Sequence, residues 1–247
     1  MTPQDDRHIH SAYDRELESI QAMIMRMGGL VEEAIRDASA SLETRDEELA
    51  DSVRRGDPAV DRLEEMVNQE VARIIALRSP NTTDLRMVLS IMKIAANLER
   101  VGDYAANMAK RTSVLVQMTP VGGSAASLRR MAKVVEGMMR DALDAYIRRD
   151  VDLAEDARHR DHEVDQMYNA TFRELLTHMM EDPRNITPCM HLHFIAKNVE
   201  RMGDHVTSIA EQVIYLATGA APEDKRPKAD RTSFETHGSE VRKEAAS

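Results

Sequence analysis

Along most of the chain apolar residues return at alternating steps of three and four. Tyr13, Leu17, Ile20, Ile24, Met27, Val31, Ala34, Ala38 and Leu42 keep this rhythm without a break, which lays them on one stripe of a single long helix. Gly28-Gly29 falls inside the stripe; two residues of such low helix propensity mark either a weak point or a place where another helix comes close. A second helix is predicted from about Asp46 to Leu77, with Leu49, Val53, Val60, Leu63, Val67, Val71 and Ile74 on its apolar side and a kink at Pro58. The stretch RSPNTTD, 78–84, reads as a turn ending in a helix cap. A third helix runs from there to about Met118, and TPVGGSAAS, 119–127, reads as a linker.

Beyond that linker the pattern begins again. Sliding residues 27–61 forward by 104 positions matches 14 of 35 residues, among them Arg45-Asp46 with Arg149-Asp150, and Asp57 and Asp61 with Asp161 and Asp165. Sliding residues 94–103 by 101 matches seven of ten, and pairs NLERVGD with NVERMGD. The expected fold is therefore all-α: two tandem three-helix bundles, six long helices, over 8–118 and 124–217, related by an approximate two-fold and without β-sheet. Residues 219–247 are polar, contain proline and show no periodicity, and are read as a disordered tail.

Composition agrees with packed amphipathic helices. The 247 residues include no Trp, 3 Phe and 5 Tyr but 17 Met, and 31% are charged. A net charge of -10 argues against a nucleic-acid surface, which needs a cationic face. The single cysteine, Cys189, rules out an internal disulfide. The beginning MTPQDDRHIH lacks the apolar run of a signal peptide, and no later stretch approaches the roughly 20 apolar residues that cross a bilayer. A cytoplasmic location without membrane insertion is expected.

The chemistry sits in the repeated acids. Glu99 and Asp103, and likewise Glu200 and Asp204, lie one helical turn apart, as do Asp57 and Asp61 and their duplicates Asp161 and Asp165. Like charges at that spacing cost a helix some tenths of a kcal/mol, a penalty that a cation removes. Two stripes compete for the buried side of the third helix. Leu85, Leu89, Met92 and Ala96 run on into Glu99, Asp103 and Ala106, whereas Val88, Ile91, Ala95, Leu98, Gly102 and Ala105 form an uninterrupted apolar row. The acids are thus placed within the apolar face or at its edge. If the second and third helices of a repeat pack antiparallel, their acid pairs converge. Carboxylates without nitrogen or sulfur partners suit hard ions, Mg²⁺, Ca²⁺, Mn²⁺ or iron, better than zinc. The bland alternative is a structural helical adaptor whose acids are merely solvated, with Asp57 a helix cap before Pro58. His162, which takes the place of Pro58 in the second repeat, weakens that account.

Other chemistries find less support. A di-iron oxidase bundle needs Glu-x-x-His on two helices, and no histidine here follows a glutamate at that spacing. No Gly-rich phosphate loop is present. Cys189 and His193 stand one turn apart while His191 lies well round the helix, which reads as a core thiol and two packed or surface imidazoles.

With YDRELESIQAMIMRMGGLVEEAI near the start, DPAVD and DHEVD in the second helices and NLERVGD and NVERMGD in the third, residues 10 to about 217 resemble the PhoU family of phosphate-transport regulators. The resemblance implies a pair of three-helix bundles and a cytoplasmic negative regulator of the phosphate-starvation response. It implies multinuclear metal clusters on the acid-x-x-x-acid motifs, which fall on Asp57, Asp61, Glu99, Asp103, Asp161, Asp165, Glu200 and Asp204. Implied partners are the ATPase subunit of the phosphate ABC transporter and the membrane sensor histidine kinase. Spare apolar stripes on long helices add the expectation of a homodimer. His191 and His193, where the first repeat has Ser90 and Met92, make a difference between the two sites an expectation too.

Overall fold

The structure, a computed structural model, describes residues 3–78 and 81–222. Its elements are α1 (Pro3–Thr44), α2 (Glu47–Gly56), α3 (Pro58–Arg78), α4 (Thr82–Leu115), α5 (Ser124–Arg148), α6 (Val151–Glu181) and α7 (Ile186–Thr218), with one 3₁₀ turn at Pro183–Asn185. No strand occurs among the described residues. Nor is any helix there long and apolar enough to cross a membrane. The tail expected from 219 lies, from residue 223 on, outside the described residues.

The duplication in sequence is a duplication of turns as well as helices. Arg45 and Arg149 both adopt left-handed backbone, with φ of 58° and 55°. Each is followed by an aspartate, Asp46 or Asp150, whose side chain accepts a hydrogen bond from the backbone N–H three residues on, at 2.9 and 3.0 Å. The identical Arg-Asp pairs therefore end one helix and cap the next in both halves. The halves differ at the next step. Pro58 lacks the N–H that would bond to the carbonyl four residues back, so the expected second helix is two helices, α2 and α3, meeting at Asp57. In the second repeat His162 keeps its N–H, and α6 runs unbroken. Two boundaries expected from sequence shift: Asn81 caps α4 by accepting from the N–H groups of Thr83 and Asp84, and α4 ends at Leu115, three residues early. There the Arg45 guanidinium donates to the carbonyls of Leu115, Val116 and Met118 at 3.0, 2.7 and 2.7 Å, a cation on a helix C-terminus.

The two repeats join through antiparallel pairs. Gly28, Glu32 and Glu43 of α1 meet Leu143, Arg140 and Arg129 of α5 in opposite order. On the other side Arg86, Asn97 and Arg111 of α4 meet Tyr215, His205 and His191 of α7, again in opposite order. Gly28 is thus a site of close helix contact, where a Cβ would run into the Leu143 side chain, whereas Gly29 faces open space. The core is continuous through both halves and is built from the predicted stripes, Ile20, Ile24, Met27 and Val31 in α1 and Val60, Leu63, Val67 and Val71 in α3 among them.

Candidate metal centre

In α4 the uninterrupted row wins the core: Val88, Ile91, Ala95, Leu98 and Ala105 are buried. The competing stripe is left at the rim, with Leu85 and Leu89 exposed and the side chains of Glu99 and Asp103 22% and 37% exposed. The acids of α4 thus lie along the edge of the buried face, where they meet α3. Asp57 sits at the break that Pro58 makes, and its Oδ1 comes within 3.6 Å of where a Cβ on Gly102 would stand. Gly102 lets this approach happen at ordinary van der Waals distance. On its other side Asp57 borders a cleft of about 180 Å³ between α1 and the α2–α3 break, which Glu33, Asp37, Val60 and Gly102 also line.

Electrostatics shows which acids share the site. Burial pushes the Asp57 carboxyl up to about 6, and the charges of Asp61 and Asp103 add to the shift. Glu99 rises to about 7 through burial first and then the Asp103 charge, against an opposing Arg100, with Glu64 and Asp61 contributing further. Five carboxylates, Asp57, Asp61, Glu64, Glu99 and Asp103, therefore feel one another. The cation at hand is Arg100, 59% exposed, which reaches Asp103 at 3.3 Å and Glu99 at 3.6 Å from the solvent side. A donor set made of oxygens alone, partly open to water and short of positive charge, fits a hard multivalent cation. Among the described residues no three His, Cys, Asp or Glu side chains already stand close enough together to hold an ion. Like-charged carboxylates do not close to such distances by themselves.

The second repeat places its four acids in the corresponding positions but in different surroundings. Asp161 and Asp165 are each 1% exposed and Glu200 is 5% exposed. Asp161 presses onto α7, its Oδ1 2.5 Å from where a Cβ on Gly203 would stand. Lys197, one turn before Glu200, donates to Glu200 Oε1 at 2.9 Å. Its Nζ also lies 5.0 Å from the centre of the Tyr168 ring. His191 packs beside Arg111 at 3.4 Å, and His193 sits among the rings of Tyr168, Phe172 and Phe194. Cys189 is buried, its thiol pushed up by burial and by the charge of Glu174. Sequence reasoning passed over Glu64 and Lys197, although the second lies inside a matched block. The two signature turns also touch each other across the repeats. His205 donates through Nδ1 to Asn97 Oδ1 at 2.8 Å and its ring lies 5.6 Å from that of Tyr104.

The sequence profile of the PhoU domain matches this chain twice, over residues 24–112 and 128–213, once for each set of helices just described. The chain belongs to the PhoU family. A PhoU homolog of Caulobacter vibrioides, named a phosphate-specific transport system accessory protein, is 44% identical over 223 residues, 90% of this chain and 97% of its own. The like-named protein of Rhizobium meliloti is also 44% identical, over 92% of this chain and 95% of its own. The crystal structure of PhoU from Pseudomonas aeruginosa superposes with a TM-score of 0.81 at 39% identity, covering 84% of this chain and all of that one. That of the phosphate transport system regulatory protein PhoU from Streptococcus pneumoniae gives 0.78 at 29% identity, over 86% of this chain and all of that one. The PhoU relatives thus match in length as well as in fold.

Proposed function

We propose that this protein is a non-enzymatic regulator of phosphate uptake. In this reading it works on the cytoplasmic side of the membrane, between the ATPase subunit of the phosphate ABC transporter and the sensor histidine kinase, and holds the phosphate-starvation response off when phosphate is plentiful. The observation that carries the reading is near-full-length identity, 44% over 97% of the Caulobacter protein, to a protein named for the phosphate-specific transport system. The fold is in keeping with it. Long helices offer grooves and ridges to partner helices, and a chain of net charge -10 complements basic patches on partners. A homodimer formed through the exposed apolar positions of α4 and α7, such as Leu89 and Phe194, belongs to the same proposal.

The proposal includes a metal centre in the first repeat, where Asp57, Asp61, Glu99 and Asp103, joined by Glu64, hold iron, Mg²⁺, Mn²⁺, Ca²⁺ or, less suitably, Zn²⁺. The ion supplies the positive charge that the converging carboxylates lack, and so stabilises the contact between α3 and α4. Two experiments test the proposal. Deleting the gene should switch on phosphate-starvation genes in phosphate-rich medium, and affinity capture should recover the transporter ATPase or the kinase; unchanged expression together with neither partner defeats the regulatory reading. Metal analysis of protein purified without chelator tests the centre, and absence of stoichiometric metal at neutral pH leaves a helical adaptor with solvated acids.

A further inference from the structure

The two carboxylate clusters are copies of one ancestral arrangement, yet they balance their charge differently. The 104-residue offset that matches Asp57 and Asp61 to Asp161 and Asp165 also pairs Glu64 with Tyr168. The 101-residue offset that matches Glu99 and Asp103 to Glu200 and Asp204 pairs Ala96 with Lys197. One carboxylate fewer and one ammonium more leave the second cluster two charges less negative than the first. Both replacements touch: Lys197 Nζ lies 2.9 Å from Glu200 Oε1 and 5.0 Å from the centre of the Tyr168 ring. An ammonium held between a carboxylate and the face of an aromatic ring has partners on two sides. We propose that in the second repeat the Lys197 ammonium is the built-in counterion of Asp161, Asp165, Glu200 and Asp204, and that this chain holds a carboxylate-bound metal only in its first repeat.

Packing points the same way. A multivalent ion bound by carboxylates needs oxygens at roughly 2.0–2.6 Å and commonly keeps waters, so it needs room and a path to solvent. In the first repeat Asp57 borders an open cleft and Glu99 and Asp103 lie at the rim. In the second, Asp161 and Asp165 are closed off from water, and the Asp161 carboxylate packs more than an ångström closer to the facing glycine position than Asp57 does, 2.5 against 3.6 Å. Lys197 itself is half-buried, and a buried cation stands one turn before Asp161: Arg158, 5% exposed, pairs with Glu155 at 3.0 Å and Glu211 at 3.7 Å. Its counterpart Arg54 is on the surface, bonded to Asp51. Positive charge from the protein thus stands closer in at the second cluster, with Lys197 half-buried and Arg158 buried, than at the first, where Arg100 is 59% exposed.

The inference rests on the metal reading of the first cluster, and the test separates the two. With Mn²⁺ as probe, equilibrium binding and elemental analysis should find metal on the wild-type protein that is lost in Glu99→Gln/Asp103→Asn and retained in Glu200→Gln/Asp204→Asn. Metal lost from the latter pair instead overturns the assignment of the second repeat. Ala96→Lys, at an exposed position, should weaken Mn²⁺ binding at the first site by tenfold or more, and no loss there also counts against it. If the wild-type protein binds no Mn²⁺, the metal reading of the first cluster fails, and the counterion role is decided by melting temperature alone. Lys197→Met should then melt several degrees below wild type, and Lys197→Met/Glu200→Gln should recover most of the loss. A double variant no more stable than the single one overturns the proposal.

Discussion

Glu99 offers a direct reading of how strained the first carboxylate cluster is. Its carboxyl titrates near 7 in the folded chain against 4.5 for the free group, first because it is buried and then because Asp103 is charged beside it. A carboxyl whose folded value is raised binds its proton more tightly in the native state than in the unfolded one. Its contribution is therefore fully present below about 4.5, declines as pH rises, and is lost once pH has passed about 7. At 1.36 kcal/mol per unit the full shift corresponds to about 3 kcal/mol. With 22% of the side chain in water and Arg100 nearby, screening reduces this to about 1–2 kcal/mol. Glu99→Gln keeps the shape and removes the charge. In chelator it should melt with wild type at pH 4 and above it at pH 8, by roughly 2–8 °C for a chain of this size. Thermal melts followed by circular dichroism from pH 4 to 8.5 measure the difference, in which groups remote from the cluster cancel. Saturating Mn²⁺ at pH 8 should reverse the order, because the wild-type cluster gains a ligand that stabilises the native state by mass action. A wild-type protein that stays the more stable of the two at pH 8 in chelator, or a difference that does not change with pH, would show that Glu99 is an ordinary solvated acid.

Three further outcomes follow from the packing. Gly102→Ala should stabilise by about 0.5–1 kcal/mol through helix propensity, since its Cβ meets Asp57 at 3.6 Å, while Gly203→Ala should destabilise by about 1–3 kcal/mol, since its Cβ would stand 2.5 Å from buried Asp161; thermal melts of the two variants in parallel check the opposite signs. Arg45→Ala should cost about 2 kcal/mol by leaving the carbonyls of Leu115, Val116 and Met118 without their shared cationic donor, and denaturant titration should show a lower midpoint at unchanged slope. Cys189, buried with its thiol raised by burial, should react with a thiol reagent in the native protein only as fast as the surrounding helices open, and should react at once in denaturant.

The parts of this fold that were legible in the sequence are those set by period and by local chemistry. The stripe from Leu17 to Leu42 is the inner face of α1, and the repeated Arg-Asp pairs are the repeated turns. What period alone left open was the choice between two apolar rows on α4. The row through Val88, Ile91 and Leu98 is unbroken by charge, so it takes the core, and the row carrying Glu99 and Asp103 is left at the rim. The break between α2 and α3 was signalled by Pro58, but a kink and a break differ only in whether neighbouring contacts hold the helix together across the missing hydrogen bond. Asp57 at that break turns its carboxylate toward both the cleft and Gly102, a placement that depends on how α3 packs on α4 and on nothing local.

The asymmetry of the two clusters lies in the sequence at the positions that do not match between the repeats, not at the acids that do. Identical residues in a duplicated chain report what both copies need, here the turns and the helix contacts at Gly102 and Gly203. The mismatched positions report how each copy balances the charge that the shared acids create. Glu64 against Tyr168 and Ala96 against Lys197 are two substitutions, yet together they leave the second cluster two charges less negative and put an ammonium beside Glu200 and the Tyr168 ring. On the proposed assignment the Lys197 ammonium is always present, so the second repeat would keep α6 on α7 whatever ions surround the protein. If the first cluster borrows its cation as proposed, the contact between α3 and α4 depends on ion supply and on pH. Joined through α1 with α5 and α4 with α7, a constant half and a conditional half would then give one chain a fixed scaffold against which a change at the other could be felt by a partner.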